Sequence, residues 1–329
     1  MTVTKEFLFA DGAFFPSCHA STVLPLKSGI VLAAYFAGSH ENADDVGIWL
    51  SRREQGAWEN PKCVAKVAPV AHWNPVLMPI PGGARLLFKV SKTIDTWKSY
   101  TMVTKDAGVT WSIPVPLSAP MDDAGPVRNK PLILSDGSIY AGDSVESDSA
   151  WRPRIDVSYD GGATYPDCTW IDLEKDCTGL GAIQPTLWES KEGHLHALLR
   201  TTSGYIFRTD STDYGRTWCK AYNTHFPNNN SGIDIAKADG KLYLVCNPVS
   251  GNWAARCPLS VFVSQDNGET FAPFVTLEDD PIDPNPVPAI NGSSQRAEYS
   301  YPAIVYKDGT LHITYTYHRR QIAYCQIKL

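Results

Sequence analysis

The chain has 329 residues, 43% of them hydrophobic and 19% charged, enough apolar material for a sizeable core. Its net charge of −6 at pH 7, with no basic run, excludes nucleic acid and anionic membrane as expected partners. No apolar stretch is long enough to cross a bilayer, and MTVTKEFLFADGAFF lacks a charged head followed by an apolar core. The expected location is therefore cytoplasmic, or secreted if a leader has been trimmed. Eight Cys occur without a CxxC pair or a Cys/His cluster, so no metal or other cofactor is expected. Buried free thiols are the expectation, with a Cys168–Cys177 loop closure open in an oxidising compartment. Ten Trp, 15 Tyr, 24 Gly and 24 Pro favour many short strands joined by tight turns.

In chain order, KEFLF near the start is expected to pair with the terminal IAYCQIKL. An apolar strand, a Gly turn and a second strand follow in HASTVLPLKSGIVLAAY from residue 19. The same pattern returns in NPVLMPIPGGARLLF from 74, KPLILSDGSIYAG from 130 and QPTLWESKEGHLHALL from 184. It returns again in GIDIAKADGKLYLV from 232 and YPAIVYKDGTLHITY from 301. Between these copies lie the octets TKDAGVTW, SYDGGATY, STDYGRTW and SQDNGETF. Their aspartates, Asp106, Asp160, Asp213 and Asp266, are 54, 53 and 53 residues apart. A degenerate copy, SRREQGAW, begins at 51. In each octet the Asp accepts hydrogen bonds from turn N–H groups and the Gly takes a positive φ, so these residues read as a hairpin turn and not as catalysts.

Six strand–turn–strand copies interleaved with Asp octets of near-constant period predict an all-β, six-bladed β-propeller with four-stranded antiparallel blades, as one domain over residues 1–329. The Pro- and Asp-rich segment 277–295 is read as a solvated loop, a cap over the site or a cation holder. The sequons at Asn229 and Asn291 matter only in a secreted chain.

On these motifs the chain resembles the sialidase (neuraminidase) superfamily, and within it the bacterial BNR/Asp-box group, over nearly its whole length. The resemblance implies an active site on the face opposite the Asp turns. There three arginines would hold a sugar carboxylate, with a Tyr nucleophile assisted by a Glu and an Asp acid/base. ALLRTTSGYIFRTDSTDYG resembles the segment of the second arginine and implies Arg200. NPVSGNWAARCPLSVFVSQDNG implies Arg256 as the third, and EYSYPAI implies Tyr299 as nucleophile. SHENADDVGIWLSRR puts Glu41 and Asp44, with Asp45, where the acid/base loop belongs. Two positions depart from the family. CHASTV, with His19, stands where the family has Arg-Ile-Pro, and GAIQPT has Gln184 near the place of the Glu.

Polar residues at strand starts, where a core strand should be apolar, point to a wet funnel: Asn74, Arg128, Asn129, Lys130, Gln184, Asn230, Asp234, Glu298, Tyr299 and Tyr301. Asn230, in PNNNSG, also reads as a turn residue. His19 and His72 both precede a first strand and read as equivalent repeat positions, either catalytic or structural. Tyr299 and Tyr301, two apart, are expected to point one way and Glu298 the other. Of Trp73, Trp188 and Trp253, two are expected in the core, leaving one to stack on a sugar.

Three functions follow. The leading one is an exo-acting glycoside hydrolase for a terminal acidic sugar of an oligosaccharide or glycoconjugate. There Arg200 and Arg256 hold the carboxylate, Arg128, Asn74, Gln184, Lys130 and Asp234 line the subsite, and Tyr299 with Asp44 or Glu41 does the chemistry. The second is a uronate lyase using His19, His72 and Tyr301 with Arg200 and Gln184. The third is a propeller that binds an acidic glycan without turnover.

Overall fold

The computed structural model describes residues 2–27, 29–284 and 296–329. The fold class is a six-bladed β-propeller, with six antiparallel sheets in chain order and no α-helix among the described residues. All six predicted strand–turn–strand copies form the first two strands of a blade. Internal contacts divide the chain into two compact units, Met1–Leu117 with Pro281–Leu329, and Ser118–Asp280.

The first unit holds blades six, one and two. Blade six consists of Tyr299–Lys307, Thr310–Tyr317 and Gln321–Lys328, completed by Thr2–Phe7, which pairs from Thr2↔Lys328 to Phe7↔Ala323. The two chain ends thus close one sheet, which removes an exposed edge. Blade one runs Ser17–Pro25, Val31–Gly38 and Gly47–Glu54, with Ala57–Trp58 and Lys62–Ala65 sharing its outer position. Blade two runs His72–Ile80, Gly83–Val90, Lys98–Thr104 and Val115–Pro116. Leu8, Phe15, Val23, Tyr35, Ile322 and Tyr324 make the core between blades six and one.

The second unit holds blades three, four and five. Blade three comprises Leu132–Ile133, Ile139–Glu146, Trp151–Ser158 and Asp167–Trp170, and blade four Ala182–Lys191, His194–Thr201, Tyr205–Ser211 and Tyr222–Pro227. Blade five comprises Asp234–Ala238, Lys241–Cys246, Leu259–Ser264 and Ala272–Glu278. Lys130 at the start of blade three donates to both oxygens of Asp234 in blade five, and Thr186 of blade four donates to the same carboxylate. One buried carboxylate therefore ties the first strands of three consecutive blades.

The four Asp turns share one hydrogen-bond set. Thr110 donates to Asp106 through both its N–H and its hydroxyl, and Gly108 N–H donates to Thr104 Oγ1. Asp160, Asp213 and Asp266 repeat the pattern. These bonds favour the ionised form, and they pull the Asp106, Asp213 and Asp266 carboxyls down to about 2. SRREQGAW folds differently: Glu54 pairs with Ala57 across a two-residue Gln55-Gly56 turn with both residues at positive φ.

The eight cysteines are all free thiols. Burial is less general than expected, since Cys18, Cys246 and Cys325 are buried whereas Cys63 and Cys219 are exposed. Residues 285–295, with Asn291 and most of the 277–295 segment, lie outside the described residues. Asn229 is buried and donates through Nδ2 to Ala255 O, so its sequon is not an accessible acceptor.

Candidate functional site

First strands enter their blades through a repeated irregularity. Pairing slips between His19 and Thr22, Trp73 and Val76, Ile183 and Thr186, and Ser300 and Ala303. At each slip one non-glycine residue turns left-handed: Ala20, Asn74, Gln184 and Tyr301, with φ of 54°, 42°, 56° and 50°. This conformation costs roughly 1–2 kcal/mol per residue. In three of the four the next residue is proline, which has no N–H to lose from the ladder. Such bulges re-aim side chains, and the same left-handed slip recurs in the first strands of blades one, two, four and six.

In the first unit the slip aligns His19 with Trp73, so His72 corresponds to Cys18 and not to His19. The expected equivalence of the two histidines is corrected by one residue, which on a strand means the opposite face. His72 is an internal tie: Nδ1 donates to Val70 O at 2.9 Å and Nε2 accepts Val67 N–H at 2.8 Å. Burial holds its imidazole down at about 4, hence neutral. His19 is also buried, with its ring centroid 4.2 Å from Tyr301 and 5.6 Å from Phe36.

The left-handed turn at Tyr301 also breaks the expected common direction of the two tyrosines. Tyr301 lies against His19, whereas Tyr299 packs on Tyr317 and His318 at 5.2 and 4.9 Å. Asn74 is buried at its slip.

Two carboxylates of this unit, Glu41 and Glu298, meet on an arginine that sequence reasoning missed. Arg319, in the hairpin after Thr310–Tyr317, donates to Glu41 and through Nε to both oxygens of Glu298 at 3.0 Å. Its carbonyl accepts Cys18 N–H at 2.7 Å, so blade six delivers an arginine beside the strand in which the family motif would have one. The HRRQ hairpin was its only signal. Asp44 points elsewhere: it is exposed, and its carbonyl accepts a bond from Lys66. Asp45 accepts from Ser39 N–H and Oγ, as a loop brace.

In the second unit Arg200 is buried and held by two amides. Its Nε donates to Asn230 Oδ1 at 2.8 Å and its Nη1 to Gln184 Oε1 at 3.2 Å. Neutral amides orient a guanidinium without cancelling its charge. The rings of Trp151 and Trp253 lie 5.5 and 5.7 Å from the guanidinium carbon, edge to face with each other. Trp253 is 60% exposed, whereas Trp73 and Trp188 are in the core, matching the expected two-to-one division.

Asn230, Asn228 and Asn229 form a buried segment and not a solvent turn: Asn228 Oδ1 accepts Thr201 N–H, and Asn230 Nδ2 donates to Asn252. Arg128 is buried, donates to Asn129 and packs against Gly232, where a Cβ would come within 2.9 Å of its Nε. Asn129 donates to the carbonyl of Gln184. Arg256 is half-buried in the segment that carries Asn252 and Trp253. Lys130 spends its donors on Asp234 and Ile235 O, a closed arrangement that keeps both charges on each other.

Sequence reasoning also missed Glu146, at the end of Ile139–Glu146. It is buried, accepts from Ser144 Oγ at 3.2 Å and is hydrogen-bonded to the Gln184 side chain. Burial raises its carboxyl to about 7, with the nearby Arg200 charge opposing the rise. A neighbouring blade thus places a carboxyl against Gln184, near the point where the family motif would carry a Glu. Nothing in the local sequence SVES gives this away, because the contact joins residues 38 positions apart.

Six antiparallel blades with Asp-centred turns and strained polar strand starts define a sialidase-like β-propeller. The family model of the BNR repeat-like domain matches residues 29–313, and the chain belongs to that family. No curated protein matches it in sequence. Among solved structures, the Hadza microbial sialidase Hz136 superposes with a TM-score of 0.78 at 14% identity, covering 99% of this chain and 68% of the other. A protein of unknown function from Dyadobacter fermentans gives 0.76 at 13%, covering 99% of both chains. Trypanosoma rangeli sialidase gives 0.74 at 13%, covering 99% of this chain and 59% of that one. At these identities the likeness is one of fold. No helix among the described residues is long and apolar enough to cross a membrane.

Proposed function

We propose that the chain is an exo-acting glycosidase for a terminal acidic sugar of a glycan. The observation that carries this is the Arg200 cluster. A buried guanidinium aimed by amides suits a sugar carboxylate, the exposed Trp253 face suits a sugar ring, and Glu146 holds a proton near neutral pH. Sialidases among the fold relatives support a sialic acid or a related sugar acid as the class to test first. Arg256, Arg128, Asn74 and Gln184 stay in this reading as lining groups, and Lys130 and Asp234 pin blade three to blade five. Glu41, Asp44 and Tyr299 keep the roles that the resemblance implies. Asp44→Asn and Glu41→Gln separate the two acids, and the exposure of Asp44 favours Glu41.

One observation favours a second reading, a uronate lyase: the contact between His19 and Tyr301 suits a base and acid pair. Incubation with sialosides and uronate-terminated oligosaccharides, followed by mass spectrometry and ultraviolet absorbance, distinguishes the two. We expect a product that has gained water, with turnover down roughly 10–100-fold in Arg200→Ala, the worth of one charge-assisted hydrogen bond. A conjugated double bond, lost in His19→Ala, would move the reading to the lyase. Binding of the same glycans without turnover would leave a lectin-like propeller, and an unaffected Arg200→Ala would sink the carboxylate assignment.

A further inference from the structure

Blade four carries a second cluster, at the far end of the strand that begins near Gln184 and about 20 Å away along extended backbone. Pairing between Ala182–Lys191 and His194–Thr201 slips again between Glu189 and Lys191, leaving Ser190 as the unpaired residue. The bulge turns Ser190 Oγ onto the imidazole of His196, 2.7 Å from Nε2. On the other side His196 pairs across the sheet with Asp210, and its Nδ1 contacts Asp210 Oδ1. Hydroxyl, imidazole and carboxylate therefore stand in line, in the order that makes a serine nucleophilic.

The surrounding bonds orient the ring. Trp188 Nε1–H can only donate, and it donates to Asn267 Oδ1 at 2.8 Å. The amide of Asn267 is thereby oriented with its NH₂ toward His196 Nε2, 3.2 Å away. Nε2 then accepts on the side of Asn267 and Ser190, and Nδ1 faces the Asp210 carboxylate. Trp188 also stacks on the imidazole at 5.0 Å, which fixes its plane. Asp210 is held by Arg208 Nε at 2.9 Å and Tyr222 OH at 2.8 Å, and Arg208 Nη2 lies 3.3 Å from Nδ1. Ser190 is half-buried. The exposed Lys237 ammonium caps its carbonyl at 2.9 Å and that of Glu189 at 2.6 Å, placing a positive charge at the same strand end.

We propose that Ser190, His196 and Asp210 form an acyl-accepting triad, separate from the glycan site, for small activated esters. Ser190 Oγ attacks the ester carbonyl carbon while its proton passes to His196 Nε2. The C–O bond to the alcohol then breaks, and His196 returns the proton to the departing alkoxide. Water repeats the sequence to free the acid and restore the serine.

The test uses the full chain and a fluorophosphonate probe, in which Ser190 Oγ displaces fluoride from phosphorus. Intact mass and peptide mapping are expected to show one adduct, on Ser190. It should be absent in Ser190→Ala and form at least 100-fold more slowly in His196→Gln, with p-nitrophenyl acetate giving a matching burst. Ser190→Ala removes a single half-buried oxygen, so circular dichroism should report an unchanged fold, and glycan turnover should be unaffected. No adduct on the wild-type chain, or equal labelling in Ser190→Ala, would overturn the proposal whatever the outcome at the glycan site.

Discussion

Glu146→Gln is expected to slow glycan turnover by about 10²–10⁴-fold, the usual worth of a positioned acid or base, while making the protein more stable at alkaline pH. The second effect follows from linkage. An unfolded Glu releases its proton near 4.5, whereas the buried carboxyl keeps it up to about 7. Between those values the native state binds more protons than the unfolded state, so stability falls as pH rises through the window. Above it the wild-type chain carries a constant penalty of roughly 3 kcal/mol, which the amide does not. Urea unfolding of both proteins at pH 4.5 and pH 8 checks this: the curves should nearly coincide at the lower value and separate, with the variant ahead, at the higher. A variant less stable at pH 8 would mean that Glu146 is ionised and paired. Full turnover in the variant would remove it from the chemistry.

Arg154→Leu is expected to be the most damaging single change in the second unit. Arg154 is fully buried in blade three and faces three carboxylates, Asp143, Asp156 and Asp123, two of them fully buried. The Oδ2 of Asp156 accepts Gly125 N–H at 2.8 Å, so the same centre ties down the segment before Arg128. A leucine would leave negative charge buried without its cation, which costs about 3–5 kcal/mol and should lower Tm by about 4–7 °C. The deficit should shrink as pH falls and the carboxylates protonate, and Asp143→Asn should restore part of it. Thermal melts at pH 7 and pH 4.5 decide. A variant that melts within 2 °C of wild type at pH 7 would show that the cluster contributes little.

The same two residues show how far the sequence reaches. Glu146 ends a strand that the repeat located and Arg154 sits in the strand leading into an Asp turn, yet neither signalled its role, because a strand residue's partner is decided by what packs on it. The candidate site repeats this. Asn74, Gln184 and Tyr301 were legible as polar strand starts, but their left-handed turn, which inverts the two-residue alternation, was not. That turn is why Tyr299 and Tyr301 part company and why His72 falls one position away from the equivalent of His19.

By itself the sequence determined the number of blades, the first two strands of each and the hairpin turns with their aspartates. Each of these rests on bonds between residues two to four apart, as in Asp106 with Thr110, or on the period of a single strand. Only the tertiary structure decided which charges meet. Arg319 reaches Glu41 across 278 residues, Lys130 reaches Asp234 across 104, and Glu146 reaches Gln184 from the neighbouring blade. Coulomb attraction and desolvation depend on distance in space and on burial, and neither is written in the spacing of residues along a chain.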